Sequence, residues 1–302
     1  MRTRRFLVAA AGAAAAVLLL AGCVDNTPTT SSSTGGGATS GTSVKKDDAL
    51  YNALPSAIKS SGVLTVGMDD TYAPNEFKDA NGNPTGWDVD LTNAIAAKLG
   101  LKAQYNIAKF DNILPSITGG KDDIGVSSFT DTVEREKQVD FVNYYQAGIS
   151  WASLKGKTVD PDNACGLKVA VQATTFEDTD EVPAKSKACV AKGKPAIQVF
   201  RYDAQDQATN AVILGQVDAM SADSPVTSYA IKTTGDKLQK AGNTFDVAPY
   251  GFPIAKGSAL TPLVQKAVQA LIDDGTYGKI LAKWGVGDGA VKTAEINLAS
   301  KS

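Results

Sequence analysis

The sequence predicts an α/β fold, because short apolar strands alternate with amphipathic helices in two separate runs. The first run spans residues 63–126 and the second spans residues 167–220. Length agrees with two units: about 255 residues follow the N-terminal region, enough for two cores.

The elements follow in order. Val63-Leu64-Thr65-Val66-Gly67-Met68 reads as a buried strand between Gly62 and Asp69. Residues 77–87 read as a hairpin with Asn81-Gly82 at its turn. Leu91, Ile95 and Leu99 fall on one helix face, and Gly100 ends that helix. Residues 103–107 form a strand. Ile113, Leu114 and Ile117 lie on a short helix closed by Gly119-Gly120. Ile124-Gly125-Val126 is a further strand. In the second run, residues 167–171 are a strand, and Gln172-Ala173-Thr174-Thr175 turns into a helix. Residues 197–200 form the next strand. Ala208, Ala211, Val212 and Leu214 are helical, and Val217-Asp218-Ala219-Met220 is a strand ending near Asp223. Leu260, Leu263, Val264, Ala267, Val268, Leu271 and Ile272 form an amphipathic stripe. Tyr277, Ile280, Leu281 and Trp284 continue on a second helix and read as core.

The first residues are a leader. Arg2, Arg4 and Arg5 precede an apolar stretch over residues 6–20, a secretory signal spanning residues 1–22. Leu20-Ala21-Gly22-Cys23 resembles a bacterial lipobox, in which Cys23 is acylated and becomes the new N-terminus. The plain alternative is ordinary cleavage, with Cys23 a stray thiol. A diacylglyceryl group supplies two chains, enough for stable membrane anchoring. Arg4-Arg5 leaves general and twin-arginine export both open. Residues 23–45 are rich in Ser, Thr and Gly and are expected to be a disordered tether. About 20 such residues reach roughly 25 Å.

Composition excludes several functions. The net charge is −2, or −5 without the three leader arginines, and no basic patch stands out. Nucleic acid is therefore not an expected partner. The chain has no histidine, which removes the commonest general base and the commonest zinc ligand. No metal and no cofactor are expected. Cys165 and Cys189 are the only cysteines after Cys23. An even pair in an exported chain points to a disulfide, worth roughly 3–4 kcal/mol in the chain-entropy model. Two unpaired buried thiols are the alternative.

Ser127-Ser128-Phe129-Thr130-Asp131-Thr132-Val133-Glu134-Arg135 is the most informative segment. Its hydroxyls and amides suit an ammonium or a carboxylate oxygen. A guanidinium fork meets both oxygens of a carboxylate. The pattern points to capture of a small zwitterion. The alternative for Arg135 is a surface pairing with Glu134, Glu136 or Asp131.

The order of motifs extends this reading. Asp69-Asp70-Thr71-Tyr72-Ala73-Pro74, Gly86-Trp87-Asp88-Val89-Asp90-Leu91, residues 124–135, Gln172-Ala173-Thr174-Thr175, Val217-Asp218-Ala219 with Asp223, and Asp274-Gly275-Thr276-Tyr277 occur in sequence. In this the chain resembles the family 3 solute-binding proteins of ABC importers, which bind polar amino acids. The resemblance runs from about Leu64 to Val286. It implies a two-lobe, periplasmic-binding-protein-like (type II) α/β fold with a hinged interlobe cleft. Lobe 1 would hold residues 60–147 plus 252–286 and lobe 2 residues 148–251, leaving 287–302 as a C-terminal extension. Crossings near Ala147-Gly148 and Tyr250-Gly251 would form the hinge.

The resemblance also implies site roles. Arg135 matches the carboxylate-binding arginine. Thr130 and Ser128 match residues that hold the amino acid head, and Ser127 and Thr174 lie beside them in the same motifs. Thr175 matches a second carboxylate donor at a helix start. Asp223 matches the partner of the α-ammonium. Its alternative role is an N-cap before Ser224-Pro225. Tyr72 and Phe110 match the pair that sandwiches the side chain. Asp69 and Asp88 match carboxylates that approach the side-chain cation in members binding basic amino acids. Asp88 could instead cap the helix that carries Leu91.

Departures limit the choice of ligand. Asn75 stands where many members carry phenylalanine, Ala173 replaces the usual glycine, and Phe176 replaces a polar residue. The leading expectation is a monomeric, lipid-anchored receptor that is not an enzyme and hands an amino acid to a permease at the outer face of the cell membrane. The alternatives are a cyclohexadienyl-dehydratase-like enzyme on the same fold, with Asp223 or Asp88 as proton donor, and a ligand-sensing subunit.

Overall fold

The computed structural model describes residues 44–301. The expected leader, Cys23 and the tether up to Ser43 lie outside the described residues. The last tether residues do not: Val44 packs against the largest core.

Helix α1 (Asp48–Ala53) is capped by Asp47, whose carboxylate accepts from the Ala49 and Leu50 amides. Helix α2 (Ser56–Ser61) leads into strand β1 (Val63–Met68). A small antiparallel sheet follows, made of β2 (Thr71–Tyr72), β3 (Glu76–Lys78) and β4 (Pro84–Thr85). Its turn is wider than Asn81-Gly82. Asp79 accepts from the Asn81 and Asn83 amides, so the loop is built around Asp79.

Helix α3 (Trp87–Lys98) buries Leu91 and Ile95, as its spacing predicts. Strand β5 (Lys102–Ile107), helix α4 (Phe110–Thr118) and strand β6 (Ile124–Gly125) complete the first run. Helix α5 (Val133–Glu136) is a single turn. The chain then enters β7 (Val139–Leu154), a strand of 16 residues.

The second run holds β8 (Lys168–Gln172), a π-helical turn at Glu177–Glu181, α6 (Val182–Ala191), β9 (Gln198–Tyr202), α7 (Gln205–Ile213) and β10 (Ala219–Asp223). Leu214 is a correction: α7 ends at Ile213, and Leu214 is its cap, 69% exposed. Helix α8 (Ser224–Thr233) leads to β11 (Leu238–Ala255), of 18 residues. Helices α9 (Thr261–Asp273) and α10 (Thr276–Trp284) close the regular structure. Tyr277 is buried, as expected of a core aromatic.

One eight-stranded sheet runs through the molecule in the order β5-β1-β6-β11-β7-β10-β8-β9. Strands β7 and β11 pair antiparallel at its centre. Parallel sets flank them, β5-β1-β6 at one end and β10-β8-β9 at the other, with β6 antiparallel to β11 and β10 antiparallel to β7. The β7–β11 register shifts at three places, one of them between Tyr250 and Gly251. A Cβ on Gly251 would lie 2.8 Å from Phe141 Cβ, and one on Gly148 would lie 2.6 Å from Thr244 Cγ2. Glycine lets the two strands approach where they cross from one end of the sheet to the other.

The largest core joins α3, α9 and α10 to β1 and to the β6-proximal halves of β7 and β11. Separate clusters flank the other end, around Trp151 and Val169 and around Met220 and Val212. Cys165 and Cys189 form a disulfide with Cα atoms 5.5 Å apart, tying the approach to β8 to the last turn of α6. The stretch after α10 packs back on the body. Ala294 is fully buried, the Asn143 amide donates to Glu295 O, and the Asn297 amide donates to Phe141 O.

Candidate functional site

A cleft of about 260 Å³, its open mouth included, lies beyond the carboxyl ends of β1, β6, β8 and β10. This is where open α/β sheets place ligands. Eight of the expected residues line it: Tyr72, Phe110, Ser127, Ser128, Thr130, Arg135, Thr175 and Asp223.

Arg135 sits in α5, whose start is fixed by Thr132 Oγ1 accepting from the Arg135 amide. Its guanidinium donates to Thr130 O at 2.8 Å and to Thr174 O at 3.0 Å. It lies 5.6 Å from the centroids of both Phe110 and Phe129, which stack on each other at 4.4 Å. The surface-pairing alternative does not describe this residue. Glu134 pairs with Lys137, and Glu136 Oε1 accepts from the Ser300 amide. Burial lowers the Arg135 pKa, and the charges of Glu177, Asp180 and Asp223 oppose that shift.

Asp223 ends β10 and stands at the N-cap position of α8, yet its side chain makes no capping bond. Its Oδ2 instead accepts from Tyr72 Oη at 2.7 Å. Burial pushes the Asp223 carboxyl well above the ordinary range, and the Glu177 charge adds to the shift. Phe110 is at the cleft edge of α4. Ser127 Oγ accepts from the Asp69 amide, and Ser128 has a left-handed backbone with φ 49°. Thr175 Oγ1 donates to Gln172 O at 2.9 Å.

The remaining three expected residues stand back from the lining. Thr174 contributes only its carbonyl to Arg135. Asp69 is fully engaged: Oδ1 accepts from the Thr71 amide and hydroxyl, and Oδ2 from Gln172 Nε2. Burial raises its pKa to about 6. Asp88 is the second residue of α3 and not its cap, which is Gly86. Its Oδ2 accepts from Tyr144 Oη at 2.8 Å and lies 3.1 Å from Ser128 Oγ. Glu76 Oε2 lies 3.0 Å from the same hydroxyl. One hydroxyl hydrogen cannot serve two carboxylates. Burial raises both acids, Asp88 to about 7 and Glu76 well above its ordinary range. Burial thus holds the pair toward its protonated form.

Sequence reasoning missed Gln172 and Glu177 as lining residues, and it noted Phe176 only as a departure. Glu177 directly follows the Gln-Ala-Thr-Thr-Phe run, so position was the one signal available. The helix start that was expected to favour an anion carries Glu177, Asp178 and Asp180.

The cleft is shut in this structure. Besides the Tyr72–Asp223 and Arg135–Thr174 bonds, Gln172 reaches Asp69, the Gln205 amide donates to Thr71 Oγ1, and Lys109 pairs with Asp203 at 2.6 Å. Each joins the β5-β1-β6 end to the β10-β8-β9 end. Among the described residues, no group of three or more acidic or cysteine side chains could hold a metal ion. No described helix is long and apolar enough to cross a membrane.

A long hinge pair between two parallel sheet ends, closing on one charged cleft, defines a two-lobe binding protein. The chain belongs to the bacterial extracellular solute-binding proteins, family 3, whose pattern it matches over residues 64–287. It is 42% identical over 246 residues to the arginine-binding protein ArgT of Corynebacterium glutamicum, covering 81% of each chain. Among solved structures, it resembles an ancestral arginine-binding protein bound to arginine, with 34% identity and TM-score 0.68, covering 74% of this chain and 98% of that one. It also resembles the ancestral amino acid-binding protein AncCDT-1, a precursor of cyclohexadienyl dehydratase, with 34% identity and TM-score 0.65, covering 76% of this chain and 97% of that one. The matched family is one of solute-binding proteins, and the relative ArgT is a binding protein rather than an enzyme.

Proposed function

We propose that this chain captures an α-amino acid by cleft closure and delivers it to an ABC permease, while anchored to the outer face of the cell membrane through a lipidated Cys23. One observation carries the reading. Arg135 and Asp223, of opposite charge, line one cleft from opposite ends of the sheet. A zwitterion satisfies both charges together when the lobes are closed. Ligand therefore favours the closed state, and such differential affinity is what shifts a two-state equilibrium. Converting a mostly open protein to a mostly closed one needs roughly 5 kcal/mol. Each charge-assisted bond contributes roughly 1.5–3 kcal/mol.

In this reading lobe 1 comprises residues 60–147 and 252–286, lobe 2 comprises residues 148–251, and the protein acts as a monomer. The names of the relatives make arginine the first ligand to try. Calorimetric titration of the purified body with the common amino acids tests the reading. Micromolar or tighter binding of at least one is expected, and no heat with any of them would overturn it. The anchor is tested separately. Cys23→Ser should move the protein from the membrane fraction to the medium or periplasm, and an unchanged distribution would exclude lipidation.

A further inference from the structure

Glu177 opens the π-helical turn and lines the cleft. It is 2% exposed, and its Oε1 has no hydrogen-bond partner. A buried carboxylate oxygen without a donor is costly. Glu177 is also not in an ion pair of its own: its neighbour Asp178 takes Arg201, at 2.7 Å. Thr175 and Arg135 act on its carboxyl, and its own charge acts on Asp223, Tyr72 and Glu181.

The charge balance follows. The ionisable side chains on the lining are Arg135, Asp223, Glu177 and the neutral phenol Tyr72. Fully ionised, they sum to one negative charge. A zwitterionic amino acid adds none, so the closed cleft would bury an uncompensated carboxylate. An amino acid of net charge +1 makes the closed complex neutral. The two carboxylates expected to meet a side-chain cation are already engaged. Asp69 is taken by Thr71 and Gln172, and Asp88 lies behind Ser128 with Tyr144 and Glu76.

We propose that Glu177 is the counter-charge by which this cleft selects an amino acid bearing a net positive charge. The inference rests on the amino-acid reading of the cleft. Burial raises the Glu177 and Asp223 carboxyls, and the Glu177 charge raises Asp223 further, while Thr175 and Arg135 hold Glu177 down. A bound cation draws both carboxyls toward the ionised form.

L-Arginine and L-citrulline test this, because citrulline keeps the shape of arginine and lacks its charge. Calorimetry on the intact body, Glu177→Gln and Glu177→Asp gives the two affinities for each protein. The arginine-over-citrulline preference should fall by roughly 10–100-fold in Glu177→Gln and survive in part in Glu177→Asp. Arginine binding to the intact body should release protons, seen as an enthalpy that varies with buffer ionisation heat, and Glu177→Gln should reduce that release. An unchanged preference in a folded Glu177→Gln protein overturns the proposal, as does a lower melting temperature with the preference intact. If the intact body binds neither arginine nor any other amino acid, the reading of the cleft itself falls, and this inference with it.

Discussion

Tyr72 Oη and Asp223 meet at 2.7 Å across the cleft, and the Asp223 amide donates back to the same phenol at 3.2 Å. In the proposed reading, the phenol takes the place on Asp223 of the ligand ammonium. It also holds the two ends of the sheet together in the ligand-free protein. Tyr72→Phe removes both bonds. The expected result is a larger ligand-free radius of gyration by small-angle scattering, with the ligand-saturated radius unchanged. Equal ligand-free radii would show that the bond does not hold the cleft shut.

Among the described residues, Arg135 is the one cation on the lining. Arg135→Ala should weaken amino acid binding by at least roughly 100-fold, the value of a charge-assisted fork. Arg135→Lys keeps the charge but loses the planar fork and its fit between the Thr130 and Thr174 carbonyls, so roughly a tenfold loss is expected. Isothermal calorimetry measures both, and circular dichroism checks that each variant is folded.

Stability should fall as pH rises from about 5 to about 8. Burial raises Asp69 to about 6, Asp88 to about 7 and Glu181 to about 8. A carboxyl whose folded pKa lies above its unfolded value binds more protons in the folded state across that window, so the slope of stability with pH is negative. The opposite group acts below about pH 4. Burial works against them, but Asn297, Gly257 and Lys256 hold Asp140 low, and Lys98 and Thr276 hold Asp274 low. Their contribution is lost as pH falls. Melting temperature should peak near pH 4–5, and Glu181→Gln should flatten the alkaline limb.

The C-terminal stretch braces the loop that carries Arg135. Asp131 Oδ2 accepts from Asn143 Nδ2 and the Leu298 amide, each at 2.9 Å. Asn297 Oδ1 accepts from the Phe141 amide at 2.7 Å, and its Nδ2 donates to Asp140 at 3.0 Å. Asn297→Ala removes the oxygen that accepts from the Phe141 amide and also places alanine at φ 54°. A loss of about 1–3 kcal/mol in chemical denaturation is expected. Deleting residues 295–302 should cost more.

Reduction of Cys165–Cys189 should lower stability by roughly 2–4 kcal/mol and leave ligand affinity unchanged. The bridge joins the approach to β8 to the end of α6, and neither cysteine lines the cleft. Denaturation with and without reductant, paired with calorimetry, separates the two effects.

Much of this was legible in the chain. Leu91 and Ile95 announce α3 through their spacing, and Gly100 marks its end. Eight cleft residues were legible through motif order, because sheet topology brings the ends of β1, β6, β8 and β10 together. The two longest strands were not. Strand β7 is buried on both faces over nearly its whole length, so it shows no alternation. Strand β11 contains two glycines and two prolines, which read as breaks. Asp88 and Asp69 show another limit: a motif can identify a carboxylate but not what already occupies its oxygens. Glu177 shows the reverse, an ordinary acid in sequence that folding leaves buried with one oxygen lacking a donor.

The sheet's central pair also governs the order in which the chain can fold. The largest core joins Leu50, Leu64 and Leu91 to Phe252, Val264, Leu281 and Ala294. A chain emerging from its N-terminus cannot complete that core until Ala294 has appeared. The early strands must wait as exposed apolar edges, open to chaperones and to aggregation.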